Sequence, residues 1–142
     1  MKLLLDTHAY LWYFEDSDKL GETAAGLIED DSVQKYVSIA SLWEFAIKYS
    51  IGSLRFEGGI SHLWEMILKN GFTILPIERS YLDGIIGMPY IHRDPFDRLI
   101  VATAAAEDMT ILTVDENIQK YDVNAFGDCK LQLTAVVLPQ FL

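Results

Sequence analysis

The chain has 142 residues, a length that fits one domain of the usual ~100–200 residues. Eleven Lys and Arg against 21 Asp and Glu leave a formal charge of −10, which excludes a general basic coat for nucleic acid or anionic membrane. A single cysteine, Cys129, excludes an internal disulfide framework and a cysteine-built zinc site, while 51% apolar residues suffice to fill a core or to cover a subunit interface.

Lys2 and the three leucines after it start like a secretory segment, but Asp6 stops the run far short of what a signal peptide needs. No stretch approaches the ~18 apolar residues of a spanning helix, so a soluble, cytoplasmic protein without membrane partners is expected. Residues 2–5 read as a strand buried on both faces, as in a parallel sheet. Tyr10, Leu11, Trp12 and Phe14 mark 7–14 as a first helix or turn. Leu20, Ala24, Leu27 and Ile28 predict a helix over 20–30. Residues 35–39 form the second predicted strand. Ser41 is expected to cap the next helix, with Glu44 at the capping-box spacing, and that helix stops at Gly52.

A further helix is predicted over 60–70, with Leu63, Trp64, Ile67 and Leu68 on one face. A third strand over 72–77, a short helix over 80–87 and a loop over 88–94 follow. Pro95 suits the first turn of a helix capped by Asp94, running to about Asp108 with Phe96, Leu99, Ile100, Thr103 and Ala104 inward. A fourth strand over 110–114 ends at Asp115, with a short helix expected over 116–120. Strands alternating with helices predict an α/β fold: three layers, doubly wound, with a mostly parallel sheet of four to five strands. One domain is expected over 1–124. The tail, 125–142, is expected to pack on the same domain, as an added strand or an edge cover.

In open α/β sheets ligands bind beyond the carboxyl ends of the strands, and here that edge gathers acids. Asp6 ends the first strand and Asp115 the fourth, Glu44 lies early in the helix after the second, and Asp94 and Asp97 open the helix before the fourth. Carboxylates brought this close repel unless protons or a cation neutralise them. Oxygen donors without cysteine or clustered histidine suit Mg²⁺ or Mn²⁺ rather than zinc. Each acid also has an ordinary reading. Asp6, Asp94 and Asp115 can cap helices, Glu44 can serve a capping box, and Asp97 can be a first-turn acid favoured by the helix dipole. Thr7 and Thr113, beside acids, can hold a metal-bound water or cap a helix. His8 and His92 are candidate substrate or partner contacts. Lys48, Arg55, Arg93 and Arg98 can form a local basic rim or a solvated face, and Trp12, Trp43 and Trp64 can be core, interface or stacking platforms.

Four stretches in order carry a resemblance: Leu-Leu-Leu-Asp-Thr-His-Ala-Tyr-Leu-Trp at 3–12, Ser-Leu-Trp-Glu at 41–44, His-Arg-Asp-Pro-Phe-Asp-Arg-Leu-Ile-Val-Ala-Thr-Ala at 92–104, and Leu-Thr-Val-Asp at 112–115. Together they resemble the acidic motifs of PIN domains of the VapC-type toxin branch, over residues 1 to about 123. The resemblance implies a PIN-like fold and a Mg²⁺- or Mn²⁺-dependent endoribonuclease. It also implies a homodimer and a cognate antitoxin that blocks the site. Carried over by motif, the catalytic and metal-binding acids are Asp6, Glu44, Asp97 and Asp115, with Asp94 the neighbouring option for the third acid; Thr7 and Thr113, by their hydroxyls, are auxiliaries. Asp6 and Asp97 are then the main ligands, Glu44 a ligand or a holder of the attacking water, and Asp115 a group completing the shell.

Other readings stay open. A receiver domain wants paired acids after the first strand and a phosphoacceptor after the third, where this chain has Asp6-Thr7-His8 and Pro76-Ile77-Glu78. An aspartyl-nucleophile phosphatase wants an acid where His8 stands. A catalytically inactive PIN scaffold that only binds a protein partner shares every feature except activity. The RNA target and the antitoxin are not legible in the residues.

Overall fold

Three leucines in a row make a strand only where both faces are covered. Lys2–Leu5 forms β1, and Leu3, Leu4 and Leu5 have no solvent exposure. The structure is a computed structural model that describes residues 1–91, 93–113, 115, 118 and 121, with the backbone of 134–137. The elements after β1 are α1 (Thr7–Phe14), α2 (Glu22–Glu29), β2 (Gln34–Ser38), α3 (Ile39–Ser50), α4 (Gly59–Lys69), β3 (Thr73–Leu75), α5 (Arg79–Gly87), α6 (Pro95–Glu107), β4 (Thr110–Thr113) and β5 (Thr134–Val137).

The sheet runs β3-β2-β1-β4-β5 with every neighbouring pair parallel. Alternating side chains of each strand enter different cores. Leu3, Leu5 and Leu112 pack with Tyr10, Ile28, Phe45, Leu63 and Ile67 from α1, α2, α3 and α4. Leu4 and Ile111 pack with Tyr81, Ile100, Val101 and Ala104 from α5 and α6. The fold is therefore three-layered, α/β and doubly wound, as the alternation predicted. Each fully buried Leu, Ile or Phe contributes about 1.5–3 kcal/mol, so the two cores hold the sheet from both sides. Gly84 lets α5 lie tightly on α6, because a Cβ there would stand 3.3 Å from Ala102 Cβ.

Several boundaries differ from expectation for local reasons. Ser38, not Ser41, caps α3: its Oγ accepts from Ala40 N at 3.1 Å, so β2 runs straight into the helix. Ser41 lies inside α3 and donates back to Ser38 O at 2.8 Å, which removes the capping-box reading of Glu44. On α4, Leu63 and Ile67 are fully buried, whereas Trp64 and Leu68 are exposed; the apolar stripe is wider than the buried face. Helix α6 is buried on all sides from Arg98 to Ala105, not on one face, because α5 and β4 cover it from opposite directions. Strand β5 pairs with β4 and extends the sheet within the tail. The expected helix over 116–120 and Val114 lie outside the described residues except for Ile118, which is buried.

Candidate active site

The strand order reverses between β1 and β4, and the crevice beyond their carboxyl ends is where such sheets bind ligands. Asp6 stands there, 5% exposed. It is the N-cap of α1, with Oδ1 accepting from Ala9 N at 2.8 Å. Its backbone N–H continues the ladder to Leu112 O at 3.0 Å. Its Oδ2 accepts a short hydrogen bond from Thr113 Oγ1 at the end of β4. The same hydroxyl accepts from Asp115 N at 3.0 Å. One threonine thus ties the acid after β1 to the backbone of the acid after β4.

Glu44 points toward the same edge from α3 and is 7% exposed. Thr7 Oγ1 donates to its Oε1 at 2.6 Å, and Lys48 Nζ lies 3.4 Å from Oε2, one helical turn on. A buried carboxylate is costly unless hydrogen-bonded or paired, and Glu44 has both kinds of support. Beneath it, Tyr10 Oη donates to Ser41 O at 3.2 Å. Burial raises the Tyr10 phenol well above the ordinary tyrosine range, against hydrogen bonds to Ser41 and Thr7 that lower it. Tyr10 is therefore a fixed proton donor under the site.

Asp94 and Asp97 open α6. Asp94 Oδ1 accepts from Phe96 N at 2.8 Å and from Asp97 N at 3.4 Å, which is the capping role the Asp-Pro pair predicted. Asp97 is half-buried in the first helical turn. Phe96 meets Trp43 edge-on at 5.2 Å, so the residues preceding Asp97 and Glu44 are packed against each other. That contact joins the start of α6 to α3 at the carboxyl edge of the sheet.

The five acids thus share one edge. Among the described residues, no group of three or more acids, histidines and cysteines stands close enough to hold an ion together. Ala9, Thr113, Thr7 and Lys48 engage oxygens of Asp6 and Glu44. By type the donors still fit a hard divalent cation, since they are carboxylate and hydroxyl oxygens.

The basic rim is smaller than expected. Arg98 is 9% exposed, donates to Pro89 O at 3.2 Å and Ile85 O at 3.3 Å, and stacks on Tyr90 at 4.6 Å. It clamps α5 and the loop after it to α6 and is largely withdrawn from solvent. Arg55 and Arg93 are exposed, as is His8, and Lys48 is half-buried; His92 lies outside the described residues. Sequence reasoning placed Lys48 on the rim and missed its pairing with Glu44, although the four-residue spacing carried that signal.

A model of the PIN domain matches residues 3–124. The chain belongs to the PIN domain family. No curated protein matches it. Among solved structures, this PIN domain is similar to VapBC2 from Rickettsia felis bound to a promoter DNA fragment, with a TM-score of 0.69 at 14% identity over 98% of this chain and 100% of that one. It is also similar to VapBC-1 from nontypeable Haemophilus influenzae (TM-score 0.63, 16% identity, 97% and 98% covered). A toxin–antitoxin complex from Klebsiella pneumoniae matches with a TM-score of 0.60 at 14% identity, with 98% and 99% covered. At these identities the likeness is one of fold. Among the described residues, no helix is long and apolar enough to cross a membrane.

Proposed function

We propose that this PIN domain is a Mg²⁺- or Mn²⁺-dependent endoribonuclease of the VapC toxin type, restrained by a cognate antitoxin and assembled as a homodimer. The observation that carries the reading is the pair of buried, hydroxyl-supported carboxylates, Asp6 and Glu44, at the reversal point of a PIN sheet. Structures of similar fold include VapBC assemblies and a toxin–antitoxin complex, which supports an antitoxin as partner.

Asp6 and Asp97 are assigned as the main oxygen donors to the ion. When bound, the ion supplies a Lewis acid for the phosphoryl oxygen and a water of lowered pKa. Glu44, held by Thr7 and Lys48, accepts the proton of the attacking water or orients it. Thr113 fixes the Asp6 carboxylate and the Asp115 backbone in one geometry, and Asp94 sets the angle of the helix that carries Asp97. In-line attack at phosphorus needs no side-chain nucleophile. With 21 acids on the chain, few phosphates can be neutralised, so recognition of a particular RNA site fits better than general degradation.

The antitoxin reading draws on a groove of about 420 Å³ along α1, α2 and α4, with Trp12, Tyr13, Phe14, Leu20 and Met66 in its walls. Its walls also carry Asp16, Asp18, Glu22 and Glu29, so an amphipathic helix with basic residues beside its apolar face fits it. A second reading, a PIN scaffold that binds a partner without cutting, draws on the bonds that already engage the oxygens of Asp6 and Glu44. One experiment separates the two. Purified protein is expected to cut RNA with Mn²⁺ and not with EDTA, and Asp6→Asn or Asp97→Asn to lose the activity. Cleavage that survives EDTA, or either variant, rejects the metal site; folded protein that never cuts RNA favours the scaffold.

A further inference from the structure

A second groove, of about 350 Å³, opens beside Glu44 between α1, the end of α3 and the loop that follows it. His8, Trp12 and Glu15 line it at positions four and three residues apart, so they share one face of α1. Lys48 and Arg55 form the opposite wall. Gly52, at φ 77°, turns the chain back, and Ser53 N and Ser53 Oγ both donate to Lys48 O, at 3.0 and 3.2 Å. Leu54 packs against the core, which anchors that turn and brings Arg55 alongside Lys48.

Three features set this groove apart from the rest of the surface. The chain carries nearly two acids for each base, yet here two cations meet only Glu15 in the groove wall and Glu44, the ion-pair partner of Lys48. The groove is aromatic as well as basic: Trp12 is half-buried and its ring lies 5.8 Å from that of His8. It also adjoins the candidate site through a direct contact, since Lys48 Nζ is 3.4 Å from Glu44 Oε2. Ligand clefts run about 300–1,000 Å³, so this one has room for a single small unit.

Cations that track a phosphate, with an aromatic face beside them, are what unpaired nucleic acid needs. We propose that this groove seats one unpaired nucleotide next to the bond to be cut, its base against Trp12 and its phosphate on Arg55 and Lys48. The assignment rests on the nuclease reading above. It makes Trp12 and Arg55 positioning residues and not catalytic ones. An acidic peptide also suits two cations but makes no use of the tryptophan and histidine rings.

The test is binding of a short labelled single-stranded RNA to the full chain in EDTA, where no cutting occurs. Arg55 is exposed, so Arg55→Ala leaves the fold intact; circular dichroism checks this. Arg55→Ala is expected to weaken binding several-fold and to reduce the slope of log affinity against log salt by about 0.7, with Arg55→Lys restoring most of both. Trp12→Ala is expected to weaken binding about tenfold with an unchanged salt slope, and Trp12→Phe to keep most of the affinity. Wild-type binding no tighter than that of the double variant, including none, overturns the proposal. So does an equal loss for duplex RNA, or a loss confined to an oligoglutamate peptide. If RNA is never cut with Mn²⁺ while the variants lose binding as stated, the nuclease reading fails and the nucleotide groove stands. If wild type cuts, and both variants cut and bind like it, the groove is overturned and the nuclease reading stands.

Discussion

Thr113 Oγ1 donates to Asp6 Oδ2 across 107 residues of sequence, and the bond spans the one place where neighbouring strands of the sheet diverge in chain order. Both residues are buried, so the hydroxyl does more than decorate the edge. Removing the donor with Thr113→Val leaves a buried carboxylate with less support and is expected to cost about 1–3 kcal/mol of stability. Thr113→Ser keeps the hydroxyl and is expected to stay near wild type. Urea unfolding midpoints of the two variants check this. Wild-type stability in Thr113→Val, or a loss confined to Thr113→Ser, assigns the residue's contribution to its methyl and not to the hydrogen bond.

Asp6 has two roles that a pair of substitutions separates. As the cap of α1 it accepts from Ala9 N, and asparagine performs that role nearly as well as aspartate. Asp6→Asn is therefore expected to melt close to wild type while losing metal-dependent cleavage. Asp6→Ala loses the cap as well, at about 0.5–2 kcal/mol. Melting curves and Mn²⁺-dependent cleavage on the same preparations give both readings. Full cleavage by a well-folded Asp6→Asn protein removes Asp6 from the reaction.

Much of this was legible before any coordinates. The leucine run at 3–5 needs cover on both faces, and alternating strands and helices supply that cover only in a three-layer sheet. The Asp94-Pro95 pair marks its helix start unambiguously, because proline fixes the backbone and aspartate caps it. Ser38 and Ser41 were harder. Both are serines near a helix start, and only the length of β2 decides which one caps. Arg98 reads as a rim residue by composition, yet the carbonyls of Ile85 and Pro89, from a different segment, draw it inward. The acids were legible as residents of one edge, and the four-residue spacing of Glu44 and Lys48 carried their pairing, but the threonine partners come from distant segments that sequence separation hides.

The buried phenols make stability fall at high pH. Burial is the largest cause at both Tyr10 and Tyr81, and Tyr81 also donates to Glu107 at 2.8 Å, whose charge raises it further. Both folded-state values lie above the unfolded value of 10.0. The folded chain therefore keeps protons that the unfolded chain releases. The stabilisation is fully present below pH 10 and is lost as pH rises through the raised folded values. Urea midpoints are expected to hold steady up to about pH 10 and to drop above it. Tyr81→Phe should flatten part of that drop; a profile identical to wild type removes Tyr81 from the linkage.

Large apolar side chains open to water on α3, on α5 and in the loop after α5 bear the test of assembly. Ile86 is 84% exposed, Tyr90 72% and Trp43 60%, and two of the three are anchored to α6, Tyr90 on Arg98 and Trp43 on Phe96. Large apolar groups fixed in position but open to water are what a self-complementary interface buries. Light scattering is expected to give twice 16.1 kDa for wild type. Ile86→Asp places a charge there without touching the core, and is expected to give the mass of one chain with an unchanged circular dichroism spectrum. Because Asp6 and Glu44 lie at the sheet edge and not on Ile86's helix, the variant also asks whether cutting needs the pair. A wild-type protein that runs as a single chain rejects the homodimer and leaves these apolar side chains to another partner.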